Sequence, residues 1–327
     1  MIDRSRLVGR ARRTRAADLL RRARRAYRER HVPLLSVVVP IHDSVRSLPN
    51  CIDSLLAHAG KVQVVLVDDG STDGSLAIAE RYAAAHRKVL LVTQPHTGVG
   101  AARNLGVRHA KGHYLAFCDA DDAIPPMGYS RLVDALARSG SDLGVGAAAI
   151  QEKGRFTQPE WVRRSNPRRR IGVHVDEVPE ILGNLVVGAR VFRRSFWDQC
   201  GLRFESDDER ADVRLVIRAL LVSRTLDVVP AVVYRWFWRD DNQSLHQRDL
   251  YDQRRVADRV RAIRIAGELL TDASTALQET YFSEVLHTAV PDLVKAAVCR
   301  DDGYWEALQL ELSSLLEIIP VATLDRV

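Results

Sequence analysis

From residue 34 onward the chain alternates short apolar runs with amphipathic stretches. "LLSVVVPI" (34–41) and "VQVVLV" (62–67) are near-continuous β-branched runs, as expected of strands buried on both faces. "KVLLV", "HYLAF" and "DLGVGAAAI" read as three further strands. Between these runs lie "SLAIAERYAAAH", "GVGAARNLGVRHA" and "YSRLVDALAR", and a segment from about Leu48 to Ala59. Each of them spaces its apolar residues as a helix does. The alternation predicts an α/β fold: a doubly wound, mostly parallel sheet with an appended C-terminal helical region. Ligands of such sheets bind beyond the carboxyl ends of the strands. Two acidic turns, "DDGSTD" and "DADD", stand at that edge.

Past residue 150 the pattern is less regular. Residues 151–180 are polar and contain the basic cluster "RRSNPRRR", Arg163 to Arg170. "VRLVIRALLVS" predicts a helix and "LDVVPAVVYRWFW" a strand. Residues 249–317 carry helical spacing almost throughout, with Pro291 interrupting a later helix. The organisation expected is an arm over 1–33, an α/β domain over 34–248 and a helical region over 249–327. The helical region either covers the sheet domain or forms a homo-oligomer interface.

Charge separates the arm from the rest. Residues 1–30 hold twelve arginines against Asp3, Asp18 and Glu29, which leaves the remainder of a chain of net charge +6 slightly acidic. The basic balance therefore does not argue for a nucleic-acid-binding core, and no nucleic-acid partner is expected. Within the arm, Ala16, Leu19, Leu20, Ala23 and Tyr27 share a helical face surrounded by arginine. Such a helix either lies on an anionic membrane surface or docks on the domain. No apolar run approaches the ~18 residues of a membrane span, and no apolar stretch of signal-peptide type follows the basic start. Cys51, Cys118, Cys200 and Cys299 stand far apart without metal-type spacing, which predicts reduced thiols in a cytosolic protein.

The stretch "AFCDADDAIPP" places Asp119, Asp121 and Asp122 directly after an apolar strand. An EF-hand is excluded, because its fifth, sixth and twelfth positions would be Ala123, Ile124 and Ser130. A helix N-cap occupies one carboxylate at most, and a solvated acidic turn is the plain alternative. A divalent cation accounts for the group best. Mg²⁺ or Mn²⁺ takes one or two carboxylates plus phosphate oxygens, and clustered carboxylates repel one another without a cation. Upstream, Gly98, Gly100 and Gly106 only superficially suggest a dinucleotide fingerprint. They follow the third strand rather than the first.

Read together, "SVVVPIHD", "CIDSLL", "VVLVDDGSTDGS", "GVGAARNLGVRHAKGHYLAFCDADD" and "YRWFWRDDNQS" resemble the family 2 glycosyltransferases of the GT-A fold, in family order over about residues 34–245. "GLRF", "DVVPAVVYRW" and the helical tail bring the chain nearer to the glycosyltransferase-like segment of actinobacterial proteins that carry a CDP-glycerol glycerophosphotransferase domain. The resemblance implies a UDP-sugar donor, Mg²⁺ or Mn²⁺, and inversion at the anomeric carbon. It implies that Pro40, His42 and Asp69 line the base pocket, with Asp69 accepting from uracil N3–H. Arg103 would lie near the ribose or diphosphate. Asp119 would sit near the ribose and metal, Asp121 would be the main metal ligand, and Asp122 would support or cap. Asp212 would be the general base.

Three departures from the family pattern stand out. His42-Asp43 replaces the usual Tyr-Asn, Ala211 replaces the Glu before Asp212, and "NQSLHQR" replaces the usual Ser-Ile-Thr. His246 is either a further metal ligand or a surface histidine. Asp208 and Glu209 are nearby substitutes for the base. Trp236 and Trp238 share a strand face and form either a sugar platform or core packing. Arg235 and Arg239 reach the diphosphate or pair on the surface, and the 163–170 cluster holds an anionic acceptor or is solvated. The expected activity is transfer of a sugar to a cell-surface glycan or teichoic-acid-like polymer by a cytosolic enzyme, at the inner face of the membrane if the arm binds there. The missing Glu motivates the alternative, a weakened domain that binds donor or polymer.

Overall fold

The computed structural model describes residues 34–58, 60–152, 154–205, 211–237, 256–298 and 302–324. The N-terminal arm, Asp208, Glu209, Trp238, Arg239, His246 and Cys299 lie outside the described residues.

The predicted strands form in order: β1 (Leu35–Ile41), β2 (Val62–Asp69), β3 (Val89–Gln94), β4 (Tyr114–Phe117) and β5 (Leu143–Glu152). Helices α1 (Leu48–Leu56), α2 (Ser75–Ala85), α3 (Val99–His109) and α4 (Gly128–Ser139) separate them. The first four strands are parallel, in the order β3-β2-β1-β4. The polar stretch after β5 contributes β6 (Arg155–Thr157), the short helix α5 (Glu160–Ser165) and β7 (Arg170–Val173). Then follow β8 (Arg190–Arg193), α6 (Arg194–Gln199), α7 (Ala211–Val222) and the long strand β9 (Leu226–Phe237). Strand β8 lies antiparallel between β4 and β5, β9 runs parallel to β5, β7 closes the edge antiparallel to β9, and β6 pairs with the end of β5. The sheet is thus mixed, parallel at one end and interleaved at the other.

The β-branched runs are buried on both faces because a hydrophobic core lies on each side. One packs β1 and β2 residues such as Val37, Val39 and Leu66 against α1 and α4. The other packs Val38, Val65 and Phe117 against α3, α7 and the C-terminal helices α8 (Val256–Leu269), α9 (Thr275–Glu284), α10 (Val290–Val298) and α11 (Asp302–Leu316). Val260, Leu277 and Tyr304 share that second core with Leu215 and Phe192, so the C-terminal helices cover one face of the sheet. Pro291 occupies the second position of α10, just after a π-helical turn over Val285–Ala289. The helical backbone runs unbroken from α9 through this π turn into α10, and the local i→i+5 bonding of the turn is the kind of irregularity that accommodates a proline within a helix. None of the described helices is long and apolar enough to cross a membrane.

Strands β1 and β4 pair only as far as Val38 and Phe117, after which the two chains part. Pro40 lies beyond that point. Its missing N–H therefore costs no ladder bond to β4, and a cleft opens at the carboxyl edge where the strand order reverses.

Candidate active site

The β2 end of the cleft is tied by side-chain hydrogen bonds. Asp69 ends β2 and is buried. Its carboxylate accepts from Gln94 Nε2 (2.6 Å), the Thr97 N–H (2.8 Å) and the Gly98 N–H (2.9 Å), and it meets His96 Nδ1 at 2.9 Å. Burial raises the acid's pKa, but these donors and His96 outweigh it and hold the group below the usual carboxylate range. His42 donates from Nδ1 to the Asp69 carbonyl (2.9 Å) and stacks on His96 with ring centroids 4.1 Å apart. The imidazole that replaces the usual Tyr therefore has a second imidazole as its partner. His96 escaped the sequence reading. Its only signal was its place, two residues after β3. The "DDGSTD" turn is braced against the loop after β1: Asp43 accepts from the Thr72 N–H (2.7 Å), and Asp73 from the Val45 N–H (2.9 Å).

The glycines after β3 serve this geometry. Gly98 has φ +97°, which favours glycine, and its N–H faces Asp69. A Cβ on Gly100 would stand 2.4 Å from the Glu205 carbonyl oxygen. These glycines let backbone pass close to backbone.

The centre of the cleft holds a buried cation. Arg103, on α3, donates from Nη2 to Asp119 Oδ1 at 2.7 Å and lies over the Phe204 ring at 5.1 Å. Burial works against its charge, yet Asp119 and then Asp212 outweigh this and raise its pKa. Asn104 exchanges two hydrogen bonds with the Phe204 backbone (2.8 and 3.0 Å), which docks the "GLRF" loop onto α3. Asp212 lies in the first turn of α7, where a carboxylate is favoured by the helix dipole. A second arginine, Arg190, feels the same carboxylate. Its guanidinium is fully buried and donates to the carbonyls of Asn184 and Val186. Burial pushes its pKa down to about 9, with Asp212 as the opposing influence.

Behind Asp119 lies Asp122, buried where Asp119 and Asp121 are half-buried. Burial, then Asp121 and Asp119, push the Asp122 carboxyl well above its ordinary range. Tyr234, on β9, links the group: its hydroxyl donates to Asp122 Oδ2 (2.6 Å) and accepts from the Asp119 N–H (3.2 Å). Beneath the turn, Cys51 and Cys118 approach to 3.7 Å between sulfurs as free thiols, and both point to the Asp119 carbonyl. The fold thus joins two cysteines that the sequence keeps 67 residues apart.

Two groups are candidates for a cation. His42, Asp69 and His96 place ligand atoms within 4.8 Å of one another. Two imidazoles and a carboxylate suit a borderline ion such as Zn²⁺, but the Asp69 oxygens are already occupied by Gln94, Thr97, Gly98 and His96. The Asp119–Asp121–Asp122 turn offers oxygen alone. Asp122 is raised by burial first and then by Asp121 and Asp119, and an all-oxygen carboxylate set is the donor type that a hard divalent cation takes. This set fits Mg²⁺ or Mn²⁺ better.

The tryptophan and arginine candidates resolve differently. Trp236 packs on Trp161 (5.8 Å) and Tyr234 (6.4 Å) beside the α1/α4 core. Within the basic cluster, Arg163 pairs with Glu160 and Arg164 with Glu284, while Arg168 and Arg169 stay exposed.

Comparison with known proteins agrees with this geometry. The model of "Glycosyl transferase family 2" matches residues 36–201, about half of the chain. Over 113 residues the chain is 34% identical to the "Uncharacterized glycosyltransferase EpsJ" of Bacillus subtilis (strain 168), covering 34% of this chain and 33% of that protein. Over 154 residues it is 29% identical to the "Uncharacterized glycosyltransferase YibD" of Escherichia coli (strain K12), covering 42% and 45%. The chain thus spans less than half the length of these curated relatives. Among solved structures, S. aureus TarS 1–349 in complex with UDP-GlcNAc superposes with a TM-score of 0.71 at 18% identity, over 88% of this chain and 82% of that one. The mannosyltransferase PcManGT from Pyrobaculum calidifontis, in complex with GDP-Man and Mn²⁺, gives 0.53 at 18% identity, over 90% and 88%. At those identities the structures share a fold with this chain. The family match covers β1 to β5, α3 and the acidic turn and ends before α7 and β9, and the chain belongs to glycosyl transferase family 2.

Proposed function

We propose that the protein is a divalent-metal-dependent, inverting transferase that moves a sugar from a UDP-sugar to a hydroxyl of a cell-surface glycan or teichoic-acid-like polymer. The observation that carries the reading is the central constellation: Arg103 paired with Asp119, both coupled to the acidic turn, with Asp212 close enough to bias Arg103. In this reading Pro40, His42 and Asp69 hold the base, and Arg103 and Asp119 face the ribose and diphosphate. Asp119 and Asp121 hold Mg²⁺ or Mn²⁺, which when bound offsets the negative charge of the leaving diphosphate. His246 remains a candidate further ligand outside the described residues.

Asp212 takes the proton from the acceptor hydroxyl, and that oxygen bonds to the anomeric carbon from the face opposite the diphosphate. The bond from that carbon to the phosphate oxygen breaks. Its electron pair leaves with UDP, and the configuration inverts. The reading keeps the nearer resemblance to the actinobacterial segment, carried by "GLRF" and "DVVPAVVYRW", and a cytosolic enzyme whose basic arm contacts the inner membrane face.

A thermal-shift screen of nucleotide diphosphates with and without Mn²⁺ tests the donor site. Stabilisation by UDP only with metal supports it. Metal-dependent hydrolysis of a UDP-sugar, abolished by Asp121→Ala and Asp212→Ala, separates an enzyme from the weakened domain that Ala211 suggests. Tight UDP binding without turnover across a panel of UDP-sugars would sink the enzyme reading.

A further inference from the structure

Strand β9 ends beside the acidic turn. Arg235 exchanges both backbone hydrogen bonds with Ala123, and the Phe237 N–H donates to Asp122 Oδ1 at 3.4 Å. Side chains alternate along a strand. Tyr234 and Trp236 join the core under α1 and α4, so Arg235 and Phe237 look to the opposite side. That is the side of α3 and α7, which carry Arg103 and Asp212.

On this face the sheet builds a row. Gln151 of β5 stands directly opposite Phe156 of β6 on one flank and Phe237 of β9 on the other, and opposed residues share a face. The two phenylalanine rings meet edge to face at 5.7 Å. The Arg235 guanidinium lies 4.5 Å over the Phe156 ring. Phe156 is 39% exposed although it is a large apolar side chain. Two rings, an amide and a cation thus adjoin one another on an open face next to the acidic turn.

We propose that Phe156, Gln151, Phe237 and Arg235 form the acceptor subsite, which takes a pyranose ring carrying or adjoining a phosphate group. This assignment rests on the transferase reading above. The C–H face of a pyranose packs on an aromatic ring, a primary amide both donates to and accepts from hydroxyls, and a guanidinium held on a ring keeps its N–H edge for phosphate. The nucleobase is placed at the far end of the cleft, at Asp69, so this face is left for the acceptor.

The test uses the full chain and saturation-transfer NMR, with glucose 6-phosphate as probe and methyl glucoside as uncharged control, in saturating UDP and the diamagnetic ion Mg²⁺. Transfer to the ring C–H protons of glucose 6-phosphate is expected to persist with UDP present. Phe156→Ala should weaken this binding about tenfold, and Phe156→Trp should retain it. Arg235→Gln should remove the preference for glucose 6-phosphate over methyl glucoside. UDP-induced stabilisation should be the same in Phe156→Ala as in the wild type. Glucose 6-phosphate binding that is displaced by UDP, or unchanged in Phe156→Ala, overturns the subsite. UDP failing to bind the wild-type protein overturns the transferase reading instead.

Discussion

At the β2 end of the cleft, Asp69 collects donors from Gln94, Thr97, Gly98 and His96, all within 30 residues of it in sequence. At the α7 end, the Asp212 charge favours the charged forms of Arg103 and Arg190 through space, and the loop before it is docked by Asn104 on Phe204, 100 residues apart. The first end is built from turns that directly follow strands. The second is assembled from distant segments. On the proposed reading, nucleotide recognition would sit on locally encoded backbone, while the catalytic and acceptor side would depend on packing. The second kind of site changes easily without disturbing the first, which is how one fold serves many acceptors.

Breaking either end should have a distinct signature. The largest effect is expected from Asp212→Asn, which should lower kcat by about 10²–10⁴-fold with UDP affinity unchanged, as read by single-turnover transfer beside UDP titration. A parallel loss of UDP binding would mean that the two ends are not separable. Asp69→Ala should do the opposite. It strands buried donors and should lower stability by about 2–3 kcal/mol in urea unfolding, and UDP-dependent stabilisation should disappear.

Gly100→Ala sharpens the comparison at the junction of the two ends. Its Cβ would meet the Glu205 carbonyl at 2.4 Å, and displacing that backbone should cost about 1–3 kcal/mol. Because Glu205 precedes α7, which carries the proposed base Asp212, kcat should fall more than UDP affinity. The smallest effect is expected from Tyr234→Phe. It removes one hydroxyl from between Asp119 and Asp122, for a loss of about 1–2 kcal/mol. The Mn²⁺ concentration giving half-maximal activity should rise while the fold, followed by circular dichroism, is kept. An unchanged Mn²⁺ requirement would show that Asp119 needs no support from β9.

Much of the first half was legible before any coordinates. The β-branched runs could only be strands buried twice, and the acidic turns then had to fall at their carboxyl ends. The described residues bear this out from Leu35 to Gln151. The reading was thinner where strands are short or antiparallel. Strand β6 has three residues and β7 four, too few for periodicity to register. The exposed Phe156 looked like part of a polar loop. The tryptophans drew attention as a platform, yet Trp236 is engaged by Trp161 and the open face belongs to its neighbours Arg235 and Phe237. Alternation showed which residues share a face. It did not show which face would be covered.

The sequence by itself determined the order of strands and helices, the placing of Asp69, Asp119 and Asp121 at strand ends, and the family to which the chain belongs. These follow from local composition and period, which act over a few residues. Only the tertiary structure decided that Arg103 neutralises Asp119, that Tyr234 ties Asp119 to Asp122, that Cys51 lies against Cys118, and that Phe156, Gln151 and Phe237 form one row. Each of these contacts joins strands or helices that are neighbours in space and not in sequence. They depend on the register and order in which the sheet assembled, and no local pattern in the chain carries that information.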